Sequence, residues 1–145
     1  MSEKCPSCRA VAPNGKTCQD LLHLLLTRQS ATDTAAYGLA VACYALQHSS
    51  QQSEPILDWA RYYVSEAVQG KQSLEETRQR VRSRSEQDRD PRSITSLRLT
   101  LVGIPWRVSI RDLDAMPVDS DAERILLWAG LIVEDIRANC RRGAR

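Results

Sequence analysis

The chain has 145 residues, of which 42% are hydrophobic and 26% charged. That is the make-up of one ordinary globular domain, and it excludes wholesale disorder, collagen-like repetition and a membrane bundle. Twenty basic against eighteen acidic residues leave a formal charge of +2, too small a bias to mark nucleic acid or a membrane surface, so such binding would have to come from local clustering.

Three Trp, four Tyr and no Phe leave the core to Leu, Ile, Val and Ala, which leans helical. Residues 1 to 17 carry Pro6, Pro13 and Gly15 with two cysteines and no periodicity, so this stretch needs something other than apolar burial to pin it. From Thr17 the pattern turns helical, and the run Leu21 to Leu26, broken only by His23, reads as a deeply buried helix. Thr32 or Asp33 can cap a second helix running to about His48, with Leu39, Ala42, Cys43 and Leu46 on one buried face. Ser53 can cap a third with Pro55 in its first turn, striped by Ile56, Leu57, Ala60, Tyr63, Val64, Ala67 and Val68 and ended by Gly70.

Ser73 and Glu76 form a capping box for a fourth helix, anchored only by Leu74 and Val81. Residues 83 to 93 read as a solvated connection. In Ile94 to Val102 the alternation of Leu97, Leu99 and Leu101 suggests a short strand, a hairpin with the segment around Trp106 and Val108, or an apolar loop. Ser109 with Asp112 opens one helical turn that Pro117 closes. Ser120 and Glu123 cap a last helix striped by Ile125, Trp128, Ala129, Ile132 and Ile136, and Cys140 continues that stripe as packing.

These elements predict an all-α bundle of four to five helices with an N-terminal zinc knuckle and a short strand or hairpin near residues 94–108. The expected divisions of a single domain over 1–145 are the knuckle at 1–17, a helical core at 18–84, a connection with a short turn at 85–118 and the C-terminal helix at 119–142. With no signal-peptide or membrane-spanning run, the expected location is the cytoplasm.

Five cysteines are an odd number, and a reducing compartment keeps them as thiols. Cys5-Pro6-Ser7-Cys8 has the spacing that lets a tight turn present two sulfurs to one ion, and Cys18 lies ten residues further on, across a loop that can double back. His23, Cys43 and His48 compete for the fourth position. Cys43 and His48 stand about 140° apart on a helix, so they do not share an ion. Cys43 falls on the buried face as a small apolar residue, and His23, with Asp20 as its partner, reads as a core histidine. His48 at the helix end is therefore favoured, giving Cys5, Cys8, Cys18 and His48 around one structural zinc. Such a shell has no position left for water and lowers the formal charge from +2 to +1.

The Cys-Pro-Ser-Cys start, the Thr17-Cys18-Gln19-Asp20 step and the run Val41-Ala42-Cys43-Tyr44-Ala45-Leu46-Gln47-His48 resemble a family of uncharacterised bacterial proteins, a domain of unknown function. Trp106 to Leu113 and the Trp128-Ala129 pair extend the likeness. It implies the same four metal-type positions and no activity; the histidine that members often carry is replaced here by Tyr37 or Gly38.

Three functions follow as expectations. The first is a non-catalytic binding or adaptor module whose partner is another protein, in keeping with the lack of hydrolase, kinase and phosphate-loop signatures. The second is nucleic-acid binding through Arg78, Arg80, Arg82, Arg84, Arg89 and Arg92, joined by Arg137, Arg141, Arg142 and Arg145; residues 78 to 92 carry a surplus of three positive charges but no interleaved aromatic for stacking. The third is a zinc enzyme using His23, Asp20 or Glu54, for which two histidines supply few acid-base groups.

Overall fold

The computed structural model describes residues 5, 8, 16–28, 34–84, 91–118 and 120–143, without the side chains of 91–94 and 141–143. The proposed caps Thr32 and Asp33, the connection at 85–90 and the side chains of Arg89, Arg92, Arg141, Arg142 and Arg145 lie outside that set. Every element among the described residues is helical: α1 (Cys18–Thr27), α2 (Thr34–Gln47), a 3-10 turn at Ser49–Gln51, α3 (Glu54–Gln69), α4 (Leu74–Arg82), α5 (Pro91–Val102), a 3-10 turn at Ile110–Ala115 and α6 (Asp121–Gly143).

The organising element is α2. Its sequence is rich in Ala, with Leu39, Cys43 and Leu46, and it is buried on nearly every side instead of on one face. Small side chains let neighbouring helices approach closely. A Cβ added at Gly38 would come within 3.3 Å of the Tyr63 hydroxyl, which donates to the Ala35 carbonyl at 2.6 Å. Helix α3 packs most extensively on α2, followed by α6. Gly70 ends α3 at φ 67°, a left-handed conformation that costs glycine little. The Ser53 side chain makes no cap bond, so Pro55, preset for a first turn, is the stronger start signal. Asp58 is buried on α3 and is held by Arg61 and Arg84; Arg84 also lies over the Tyr62 ring, 4.6 Å from its centre.

The C-terminal half closes over this pair. On α6 the stripe Ile125, Trp128, Ala129 and Ile132 is fully enclosed. Trp128 Nε1 donates to the Gln47 side-chain oxygen at 3.3 Å, and Gln47 Nε2 donates to the Val108 carbonyl at 2.7 Å. One buried amide therefore ties the end of α2 to α6 and to the segment before the second 3-10 turn. Arg107 reinforces that segment through Asp135 and Glu134.

Several expectations change. Residues 94–102 form no strand: α5 is a helix that buries Leu97 and Leu101 at the four-residue helical spacing and turns Leu99 outward at 76% exposure. The leucine alternation misled because Leu99 belongs to the solvent face. The predicted connection at 85–118 thereby contributes a helix of its own. Helix α1 is not deeply buried, since only Leu22 and Leu25 among its leucines are enclosed and Leu24 is 47% exposed. On α3, Ile56 leaves the expected stripe for the surface. His23 is exposed instead of being a core residue, and Cys140 is exposed instead of packing.

Because α5 points Leu101 inward and Leu99 outward, Leu101→Ala is expected to lower unfolding free energy by about 2–5 kcal/mol. Leu99→Ala should stay within about 0.5 kcal/mol of the parent. Urea titration of both variants checks the facing; equal losses would contradict it.

Candidate metal centre

Three separate pieces of chain supply the site. Cys5 and Cys8 come from the N-terminal segment, Cys18 opens α1, and His48 follows α2. Cys18 is placed by a reciprocal cap: the Thr17 hydroxyl accepts from Asp20 N at 3.1 Å while the Asp20 carboxylate accepts from Thr17 N at 3.0 Å. That amide bond is also the first reason that the Asp20 carboxyl sits below its usual range. His48 is placed by the end of α2, where the chain leaves the helix for the 3-10 turn at Ser49–Gln51. Arg98 anchors this corner by donating to the Ser49 carbonyl at 2.9 Å.

The ligand-type atoms of Cys5, Cys8, Cys18 and His48 all lie within 4.8 Å of one another. Donors about 2.0–2.3 Å from a shared zinc stand roughly 3.3–3.8 Å apart, and the Cys8 and Cys18 sulfurs are 3.5 Å apart. Among the described residues this is the group of metal-type side chains that converges. Cys43 is absent from it, fully buried on α2, with its thiol pushed well up by burial. His23 and Cys140 are also absent.

The histidine carries the most informative geometry. Its Nδ1 lies 2.9 Å from the Tyr44 carbonyl, which can only accept, so Nδ1 bears the proton and the lone pair is left on Nε2. That Nε2 is buried and has no hydrogen-bond partner. An unpaired acceptor in a residue 1% exposed is costly unless something meets it. Fixing the tautomer through a backbone carbonyl is how proteins orient metal-binding imidazoles. The Tyr44 ring stacks on the imidazole at 4.0 Å and 14°, which holds its plane.

The Cys18 sulfur is held toward the thiolate state. Cys18 lies far below the usual thiol range, first through its bond with Cys8 and further through Arg111, against an opposing contribution from burial. Arg111 Nε donates to the Cys18 sulfur at 3.2 Å. Tyr44 is pushed up to about 12, first by burial and then by the neighbouring thiolates of Cys18, Cys5 and Cys8. At the level of sequence, Tyr44 and Gln47 stood out only as motif residues and Arg111 only within the Trp106–Leu113 segment, and none of the three was given a role at the site. Arg111 stands 93 residues from Cys18, and no spacing rule reaches that far.

A helical domain with a three-cysteine, one-histidine cluster at its N-terminal edge is the class that fold and site define. The chain matches the model of DUF5946, a family of unknown function, over residues 3–137 and belongs to that family. No curated protein and no solved structure matches it.

Because the fold raises the Tyr44 pKa above its ordinary value of 10.0, it favours the protonated phenol. The associated stability is complete below about pH 10 and is lost as pH rises through about 12. In the metal-free protein, the phenolate absorbance missing from Tyr44→Phe should be centred near 12; a missing component at the ordinary value would contradict the burial.

Proposed function

We propose that the protein is a non-catalytic helical binding module that carries one structural zinc and engages another protein in a reducing, cytoplasmic setting. The observation that carries the metal reading is the buried Nε2 of His48, which lacks a partner and belongs to the same cluster as three cysteine sulfurs. Sulfur and imidazole together favour zinc over calcium or magnesium, which take oxygen. Three thiolates and an imidazole complete a tetrahedron and leave no position for a reacting water, which supports a structural over a catalytic role. Zinc binding in small peptides contributes on the order of 10–16 kcal/mol, against roughly 5–15 for a whole domain. An N-terminal stretch with little apolar content can be pinned on those terms.

A protein partner is favoured over nucleic acid by how the arginines are engaged. Arg78 pairs with Glu75, Arg80 with Glu66 and Arg84 with Asp58, so three of the four candidates at 78–84 already face carboxylates. Exposed apolar side chains are present as well. Leu99 and Val102 share one side of α5 and are both more than half exposed, which offers a protein partner some apolar surface. Among the described residues, no helix is long and apolar enough to cross a membrane.

Metal analysis and X-ray absorption test the proposal. The parent should hold one zinc with three sulfurs at about 2.3 Å and one nitrogen at about 2.0 Å. Cys5→Ser, Cys8→Ser, Cys18→Ser and His48→Ala should lose it, while Cys43→Ala, His23→Ala and Cys140→Ser should retain it. A metal-bound water oxygen would overturn the structural role, and zinc retained in His48→Ala would overturn the ligand set.

A further inference from the structure

We infer that Arg111 is the charge partner of the metal centre: a positioning residue, outside the ligand shell, that offsets the net negative charge of zinc held by three thiolates and aims the Cys18 sulfur. The inference rests on the zinc reading and names what that site requires of the surrounding protein.

Three observations point to it. The first is the bond itself. Arg111 Nε lies 3.2 Å from the Cys18 sulfur, and a guanidinium N–H donating to a thiolate is a charge-assisted bond, stronger than a neutral one. The second is burial. Arg111 is half-buried, with its Nη1 buried and without an acceptor, and a cation drawn this far from water is unfavourable unless it answers an opposite charge. Zinc with three thiolates and a neutral imidazole carries a net charge of −1, so one guanidinium brings the enclosed group to neutrality. The third is rigidity. Arg111 sits in the 3-10 turn Ile110–Ala115, whose start is fixed by Ser109 and Asp112: Ser109 N donates to the Asp112 carboxylate at 2.8 Å, and Arg111 N donates to the Ser109 hydroxyl at 3.2 Å. Ile110 and Leu113 on either side are buried in the core. The turn packs on α1, the helix that begins at Cys18, so the guanidinium is aimed by a fixed backbone.

Arginine suits this place better than lysine. Its planar fork keeps Nε–H directed at one sulfur, whereas an ammonium on a flexible stem supplies the charge without the direction. Charge and direction can therefore be separated by substitution.

The experiment measures zinc affinity by competition with a chromophoric chelator, together with the sulfur-to-metal absorption band of the cobalt(II)-loaded protein, for the parent, Arg111→Gln, Arg111→Lys and Arg107→Gln. Arg111→Gln should bind zinc about 10–100-fold more weakly, the usual consequence of losing a partner that orients a ligand. Its cobalt band should move to lower energy, because a thiolate without its hydrogen bond gives up electron density more easily. Arg111→Lys should recover part of the affinity while keeping a displaced band. Arg107→Gln removes ion pairs with Asp135 and Glu134 away from the ligands; it should lower the melting temperature and leave both metal readouts unchanged. An Arg111→Gln protein that folds, binds zinc within about threefold of the parent and keeps the parental band overturns the inference.

Should Arg111→Gln fail to fold, the parent supplies the test by nuclear magnetic resonance. The Arg111 Nε–H of the zinc-loaded protein should exchange slowly with water, and fast exchange overturns the assignment. The two readings fail separately: a parent that binds no zinc removes the metal centre and this inference with it, whereas a zinc-binding parent matched by Arg111→Gln removes the role of Arg111 alone.

Discussion

The structure depends on a lone pair that faces inward. His48 gives its only ring proton to the Tyr44 carbonyl and keeps its other nitrogen in the interior without a donor to meet it. Folding normally avoids leaving such a group unmatched. Here the surroundings reinforce the arrangement: a tyrosine ring fixes the imidazole plane, the same Tyr44 carbonyl also accepts from the His48 backbone at 3.0 Å, and three sulfurs gather within 4.8 Å. Each device restrains an atom that is useful only to an electrophile. A divalent cation satisfies the imidazole and the thiols together, which no single hydrogen-bond donor can do.

Holding that nitrogen still is a task distributed through the bundle. Helix α2 is enclosed on nearly all sides, so its last turn cannot shift without moving α3 and α6. Gln47, next to His48 in the chain, is fastened to Trp128 and to the Val108 carbonyl; Ser49, on the other side, is fastened by Arg98 from α5. The histidine is thus bracketed by residues tied to the C-terminal half. The long-range order that a metal requires of its ligands comes from the packed bundle, while the cluster sits where the N-terminal segment and α1 join it, with Cys8, Cys18 and His48 buried there. This separation explains why Cys43, one turn earlier on the same helix, is wholly part of the packing, with a thiol that burial keeps protonated.

Much of this was legible in the chain, and the failures share a cause. Local signals were reliable where the physics is local: Ser109 with Asp112, Gly70 after α3 and the Cys5–Cys8 spacing are each decided by a few neighbouring residues. That His48 and not Cys43 joins the cysteines was readable because a five-residue separation on a helix keeps the two from sharing an ion, and because Cys43 falls on the buried face while His48 sits at the helix end. Facing relative to the rest of the molecule was not readable. Leu97, Leu99 and Leu101 alternate as a strand would, yet Leu99 simply lies on the wet side of a helix. His23 sits amid leucines, but only one side of α1 meets the bundle. Cys140 follows an apolar stripe past the point where α6 still has a neighbour to cover it. Arg111 was out of reach for a different reason: its partner is set by how the second 3-10 turn packs on α1, and neither motif nor period encodes that.

If the cluster holds zinc, the metal links these parts thermodynamically as well as spatially. A ligand that binds only the folded state adds stability that grows with the logarithm of its concentration, about 2.7 kcal/mol when free metal stands at a hundred times the dissociation constant. That is comparable to removing one buried leucine side chain, but it is concentrated where the N-terminal segment, the start of α1 and the end of α2 meet. The turn bearing Arg111 joins the same junction, since it donates to one of the sulfurs. Loss of metal would then leave the apolar burial that joins α2, α3 and α6 largely in place. The consequence would fall on the edge of the molecule, where three sulfurs and the His48 nitrogen would lie within 4.8 Å of one another without the ion that answers them. A stable core and a conditional edge follow from the same sequence because apolar burial was assigned to one and ligand chemistry to the other.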